Sequence, residues 1–185
     1  MNQKLTTKRI AMAGLLAALT AVGSGLRITV PVDLVGTSSI HLGNIFCALS
    51  GILLGPGLGG LAAGLGSAIY DMTNPLYISE CWLTFLMKGG YALAAGLTFR
   101  HLKTGEYLRD LISTTAGALT YALLYLGKSV LKGMIVSGLT ATAAIIATAA
   151  KLPATAFNAA VAIVVAPILA TAIRKALEQN HISLN

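Results

Sequence analysis

Hydrophobic and polar positions fall in long blocks along this chain. Apolar runs extend over about 10–25, 41–54, 60–72, 82–99, 110–131 and 153–172. Turn signals and charges separate them: Gly55-Pro56-Gly57 follows the second run, Thr73-Asn74-Pro75 the third. Blocks of this kind predict helices. A helix needs roughly 20 residues to cross ~30 Å of hydrocarbon. The second and third runs are short for that, so they must thin the bilayer locally or line a protein-walled cavity. The stretch 27–39, with proline and polar residues, predicts a non-helical connection. The stretch 133–150 is apolar enough for a seventh helix, but it is made of Gly, Ser, Thr and Ala with little large bulk. It reads best as an outer loop with a short helix. The expectation is one domain over 1–185 with six transmembrane helices.

Composition strengthens this reading. Of the 185 residues, 56% are hydrophobic and 10% charged, where a soluble domain carries about 25% charged residues. Mean hydropathy is +0.79. Lipid is therefore the expected solvent for an all-α integral membrane protein, with no length left for a separate catalytic domain. The formal charge of +7 would suggest nucleic acid in a soluble protein. Here the basic residues flank the apolar runs, which is the positive-inside pattern. Lys4, Lys8, Arg9, Arg100, Lys103, Arg109, Arg174 and Lys175 form one set, and Arg27, Lys128, Lys132 and Lys151 the other. The imbalance puts both termini in the cytoplasm and argues against nucleic acid. The first run, after Lys4, Lys8 and Arg9, resembles a signal peptide. Its small residues along one face suit helix packing, so it is read as the first span. Cys47 and Cys81 make neither a metal spacing nor a redox pair and read as small buried residues. Three unclustered histidines offer no metal site.

Polar groups in lipid are costly and face a cavity or each other. In the fifth run Tyr121, Tyr125, Lys128 and Lys132 share one helical face, and in the sixth Lys151, Thr155 and Asn158 do. Thr84, Lys88 and Tyr91 share a face in the fourth. Ser67, Asp71 and Asn74 close the third run, and His41 and Asn44 open the second. The six-span topology brings these groups to the outer half of the membrane, as a pocket for a small molecule. Tyr70, Trp82, Tyr91 and Tyr125 are candidates to stack on a flat ring. Asn44, Asp71, Asn74 and Asn158 are candidates to bond its edge, with Thr84 and Lys128 beside them. Lys88 can pair with Asp71 or an anionic group. The plainer alternatives are snorkelling for Lys128, Lys132 and Lys151, an interfacial belt for Trp82 and Tyr77, and capping for His41. Ala13, Ala17 and Ala21 form a small-residue stripe that lets another helix approach closely.

Leu42-Gly43-Asn44-Ile45-Phe46, Gly51-Ile52-Leu53-Leu54-Gly55-Pro56, Gly64-Leu65-Gly66-Ser67-Ala68 with Asp71, Phe85-Leu86-Met87-Lys88-Gly89 and Lys151-Leu152-Pro153 with Asn158-Ala159 come in an order that resembles the S components of energy-coupling factor (ECF) importers. The riboflavin-type and hydroxymethylpyrimidine-type branch is the nearest, and the resemblance covers most of the chain. Asn44 departs from it, standing where an acidic residue is expected in many relatives. The resemblance implies six helices with a vitamin bound near the outer face, under the first outer loop. It implies that Ala13 and Ala17 touch a transmembrane coupling subunit. It also implies that two ATPase subunits supply the energy and that the S component topples to release its ligand inside. The chain has no phosphate-binding G-x-x-x-x-G-K-S/T loop, so it would bind no ATP or other cofactor itself.

The expectation is therefore a multi-pass protein of the bacterial plasma membrane that captures a small water-soluble vitamin or precursor. Pyridoxine-like or hydroxymethylpyrimidine-like rings are favoured, and riboflavin and thiamine are alternatives. A membrane enzyme needs a convergent nucleophile, base or metal set, and none is visible. A self-sufficient transporter or channel is the other alternative, although no internal repeat of the kind many such transporters carry is visible.

Overall fold

The computed structural model describes residues 5–32 and 36–182. Lys4, one of the expected cytoplasmic charges, lies outside them. The helices are α1 (Thr7–Gly25), α2 (Gly43–Leu54), α3 (Pro56–Met72), α4 (Cys81–His101), α5 (Glu106–Ile135), α6 (Ala141–Ala149) and α7 (Leu152–Gln179). Strands β1 (Arg27–Val32) and β2 (Gly36–His41) form a hairpin between α1 and α2. A short 3-10 turn, Ile78–Glu80, precedes α4.

The sorting of side chains is that of a protein in lipid. Leu61, Leu65 and Ile69 stand exposed on α3, while Ala62, Ala63, Gly66, Ser67 and Ala68 are buried on its other side. Large residues face out and small ones face in, so helix backbones approach closely. A Cβ on Gly66 would strike the Ala17 carbonyl, and one on Gly51 the Ala92 carbonyl. Gly55 turns the chain between α2 and α3 with φ of 82°, a region open to glycine, and Pro56 starts α3. α7 is, among the described helices, the one both long and apolar enough to cross a membrane, with a mean hydropathy of 2.2 in its best window. α2, with 12 residues, is ~18 Å long and sits in the middle of the bundle. α6 has nine residues, ~13 Å at 1.5 Å per residue, and is short of the ~30 Å needed to span.

Two expectations are sharpened. The described part of the non-helical connection, 27–32 and 36–41, is ordered: Arg27 pairs with His41, Thr29 with Ser39 and Pro31 with Thr37 in an antiparallel ladder. Ile28, Thr29, Val30 and Val32 are strong strand formers. Pro31 fits because a two-stranded sheet is all edge. The fifth and sixth runs are also longer as helices than their apolar cores, reaching Ile135 and Gln179. The apolar runs end where charged residues such as Glu106, Arg174 and Glu178 begin, and the helices continue past that point.

Candidate functional site

A cavity of about 190 Å³ lies beneath the hairpin. Its walls come from β2, the ends of α1 and α3, the 3-10 turn, and α4, α5 and α7. The hairpin is its roof, and side chains from three elements hold that roof down. Asn158 on α7 accepts the His41 N–H at 2.9 Å through Oδ1 and donates to the Ser39 carbonyl at 2.7 Å through Nδ2. One amide thus completes the free edge of β2 as a neighbouring strand would. Tyr125 on α5 donates to the Thr37 carbonyl at 3.2 Å. The Tyr77 hydroxyl meets Thr29, Thr37 and Ser39 at 3.4, 3.4 and 3.2 Å. Burial pushes the Tyr77 phenol up, but bonds to Ser39, Thr29, Thr37 and Arg27 outweigh it and bring it to about 8.

Below the roof runs an aromatic stack. The four-residue spacing of Tyr121 and Tyr125 on α5 lays their rings parallel, with centroids 5.7 Å apart. Tyr91 of α4 meets Tyr121 from the core side at 6.2 Å. The Lys88 ammonium sits 4.1 Å from the Tyr121 centroid and donates to Asn44 Oδ1. Behind them, His41 Nδ1 accepts the Gly43 N–H at 3.2 Å. Burial, then the Lys88 and Arg27 charges, hold this imidazole well below its usual range, so it stays neutral.

The walls are strongly basic. Arg27, Lys88, Lys128, Lys132 and Lys151 line the cavity with Asp71 and Glu80 as the carboxylates. Arg27 is 3.9 Å from Asp71 and lies over the rings of Tyr70 and Tyr77 at 4.3 and 4.6 Å. Lys128 and Lys132 both pair with Glu80. Burial raises the Glu80 carboxyl, and the two lysines outweigh that and hold it below its usual value. Lys151, just before α7, is 3% exposed and donates to Ser129 at 3.2 Å.

Six of the eleven candidate ligand-binding residues line the cavity: Asp71, Thr84, Lys88, Tyr125, Lys128 and Asn158. Asn44 and Tyr91 support the wall from behind it. Tyr91 is fully buried, with its hydroxyl 3.5 Å from the Thr114 carbonyl. Tyr70 and Asn74 stand outside the lining. Asn74 donates to the Tyr70 hydroxyl at 3.2 Å and accepts the Leu76 N–H at 3.0 Å, which shapes the turn after α3. Trp82 is 60% exposed, because its position on α4 points away from the face carrying Lys88 and Tyr91. It cannot stack on a ligand in this cavity. Tyr77, expected at the lipid interface, is a lining residue instead. Asp71 has Arg27 as its ion partner, and Lys88, one of whose two expected roles was to pair with Asp71, donates to Asn44. Lys128 and Lys132 reach Glu80 and do not simply snorkel. Cys47 is buried as expected, while Cys81 is half-buried; both are free. Spacing missed Arg27, Glu80 and the hairpin hydroxyls, which lie in connections without helical periodicity. A lone acid between two apolar runs, in a chain with six Asp and Glu in all, was the available signal for Glu80.

A family model described as ECF-type riboflavin transporter, S component, matches residues 4–175. A Pyrococcus woesei protein described as an uncharacterized protein in the gap 3′ region is 31% identical over 108 residues, covering 58% of this chain and 68% of that protein.

Proposed function

The chain belongs to the family of S components of ECF-type riboflavin transporters, and from that premise we propose that it captures a small water-soluble vitamin or precursor in the cavity beneath the hairpin. The family is one of membrane transporter subunits, not of enzymes. The observation that carries the proposal is the roofed cavity itself. It combines an aromatic stack, an amide and several charges in about 190 Å³. That is small beside the roughly 300–1,000 Å³ of pockets for drug-sized ligands. It favours a compact ring of the pyridoxine or hydroxymethylpyrimidine kind over a tricyclic one such as riboflavin.

In the proposed topology α1, α2, α3, α4, α5 and α7 cross the plasma membrane, with α6 outside and both termini in the cytoplasm. The lengths of α1, α4, α5 and α7 and the basic residues gathered at the end away from the hairpin support it. A transmembrane coupling subunit and two ATPases complete the importer. Ala13, Ala17 and Ala21 lie half-buried at the edge of α1, where Ala17 packs against Gly66, and Gly14 and Ala18 beside them are exposed. This small-residue surface suits a closely approaching partner helix.

A thermal-shift screen of the purified chain against vitamins and precursors tests the proposal. A ligand at 100 times its Kd should stabilise the protein by about 2.7 kcal/mol. Tyr125→Ala should weaken binding by removing a face of the aromatic stack. Absence of a shift with every compound, together with solute flux in liposomes holding this chain alone, would replace the proposal with a self-sufficient transporter.

A further inference from the structure

On the reading of this cavity as the vitamin site, we propose that the ligand presents a ring-borne oxygen, a carbonyl or an ionised ring hydroxyl, to two donors, the Lys88 ammonium and the His41 Nε2–H. The donor roles follow from the hydrogen bonds around His41. Its Nδ1 accepts the Gly43 N–H at 3.2 Å, so that nitrogen carries no proton. The imidazole then holds its proton on Nε2. An Nε2–H cannot accept, yet the group 3.5 Å from it is the Lys88 ammonium, which can only donate. Both side chains line the cavity. Among the described residues, two donors thus converge with no acceptor between them.

The surrounding groups answer Lys88 only in part. Lys88 is 3% exposed. Among the described residues its ammonium donates to the Asn44 amide oxygen and lies 4.1 Å from the Tyr121 centroid, and neither group carries a formal charge. Asp71, a carboxylate of the same cavity wall, is paired with Arg27. Burying an ammonium is costly unless opposite charge accompanies it, and a second donor set against it adds repulsion. The floor holds another unanswered group: the Ser24 hydroxyl, also in the lining, is buried and has no hydrogen-bond partner. An oxygen suits the donor pair better than a ring nitrogen does. It has two lone pairs, one for each donor, where a ring nitrogen has one. Negative charge on that oxygen strengthens the bond from Lys88. The stacked rings of Tyr121 and Tyr125 beside Lys88 suit a flat group, so the oxygen is one attached directly to the ligand's ring.

The test uses the full chain in nanodiscs of phosphatidylcholine. Binding is measured for matched pairs that differ at one ring substituent: pyridoxine with 3-deoxypyridoxine, and the 4-oxo with the 4-amino form of 5-hydroxymethyl-2-methylpyrimidine. Any vitamin that the thermal-shift screen returns is paired in the same way with its analogue lacking the ring oxygen. In a pair that binds, the oxygen-bearing member should bind about ten- to one-hundred-fold tighter, the loss expected when hydrogen bonds from a charged donor are left unmade. Lys88→Met should bring the two members to within about two-fold of each other. His41→Asn keeps an acceptor for the Gly43 N–H and removes the Nε2–H, and it should reduce the preference without abolishing it. Nitrogen-15 NMR of the histidines, with His41→Asn assigning the signal, should show the Nε2–H tautomer and a downfield shift of that proton when the oxygen-bearing member binds. The inference is overturned if His41 carries its proton on Nδ1, if the preference survives both substitutions, or if the vitamin that binds has no ring-borne oxygen. Equal binding of both members would assign the donor pair to water, overturn the inference and leave the vitamin-binding reading intact. Failure of every compound to bind would remove that reading and the inference with it.

Discussion

At the end of the bundle away from the hairpin, arginines stitch helices together. Arg9 donates to the Leu54 carbonyl at 2.6 Å, joining α1 to the last turn of α2. Arg109 donates to the Phe99 carbonyl at 2.6 Å, near the end of α4. Arg174 grips the buried Asp110 with two bonds of 2.7 Å, joining α7 to α5. That end also holds an open cleft of about 770 Å³, but its Arg100, Arg109 and Arg174 face Glu106 and Glu178, and Arg174 has Asp110 as well. Under the hairpin the cavity is smaller and the cations outnumber the acids by more. Positive charge that closes helix ends is used up in the fold. Around the cavity the five cations share two carboxylates, Asp71 and Glu80.

The largest expected effect would break the comparison at its structural end. Arg174→Met leaves the fully buried Asp110 without its partner and should cost about 3–5 kcal/mol. It should lower the melting temperature while leaving ligand affinity of the folded protein unchanged. Asp110→Leu with Arg174→Met should recover most of the loss, because an apolar pair of similar volume replaces a buried ion pair well. If Arg174→Met instead weakened ligand binding selectively, the two ends would not be separable.

Next comes the roof. Asn158→Ala removes both bonds to β2 and exposes a donor and an acceptor, a loss of about 1–3 kcal/mol. The effect should fall on the hairpin alone, as faster amide exchange at Ser39 and His41 and faster ligand release, with global melting shifted little. Asn158→Asp keeps the acceptor for the His41 N–H and should give an intermediate release rate.

Glu80→Gln should change stability by less than about 1 kcal/mol, the range of partly exposed ion pairs. It should leave the preference for an oxygen-bearing probe unchanged, because Glu80 holds Lys128 and Lys132 and not Lys88 or His41. A lost preference in this variant would count against Lys88 and His41 as the donor pair.

The smallest effect is a pH dependence. Lys151 and Tyr77 are both brought to about 8 from ordinary values of 10.5 and 10.0. Between about 8 and 10 the unfolded chain therefore holds more protons than the folded one, and stability rises with pH across that window. Melting of the ligand-free protein should climb from pH 8 to pH 10. Lys151→Met should flatten part of the climb and Tyr77→Phe the rest.

The helices were legible in the sequence because lipid imposes long apolar runs, and Gly55-Pro56 marked the turn between α2 and α3. The inner lining was legible where it lay on helices: Lys88, Tyr125 and Asn158 each follow from three- and four-residue spacing. Trp82 shows the limit of residue type without helical phase. It is the chain's one tryptophan, and α4 turns it away from the cavity. The hairpin was missed because Pro31 and the serines and threonines look like a loop until the pairing partner is known. Glu80 and Arg27 were missed because their contacts are tertiary and leave no local pattern.

Asn158, Tyr125 and the hairpin have a consequence for how specificity can diverge. The bonds from Asn158 and Tyr125 grip the backbone of β2 at Thr37, Ser39 and His41, so those contacts do not depend on which side chains the strand carries. A two-stranded hairpin is marginal by itself, yet here α5 and α7 hold it by its backbone atoms. In the proposed binding role, substitutions along β2 would alter which ligand fits while the bonds from Asn158 and Tyr125 remain, and only those from Tyr77 to the Thr37 and Ser39 hydroxyls would be lost. The hairpin is the natural segment in which to redesign ligand choice, provided that Asn158 and Tyr125 are left in place.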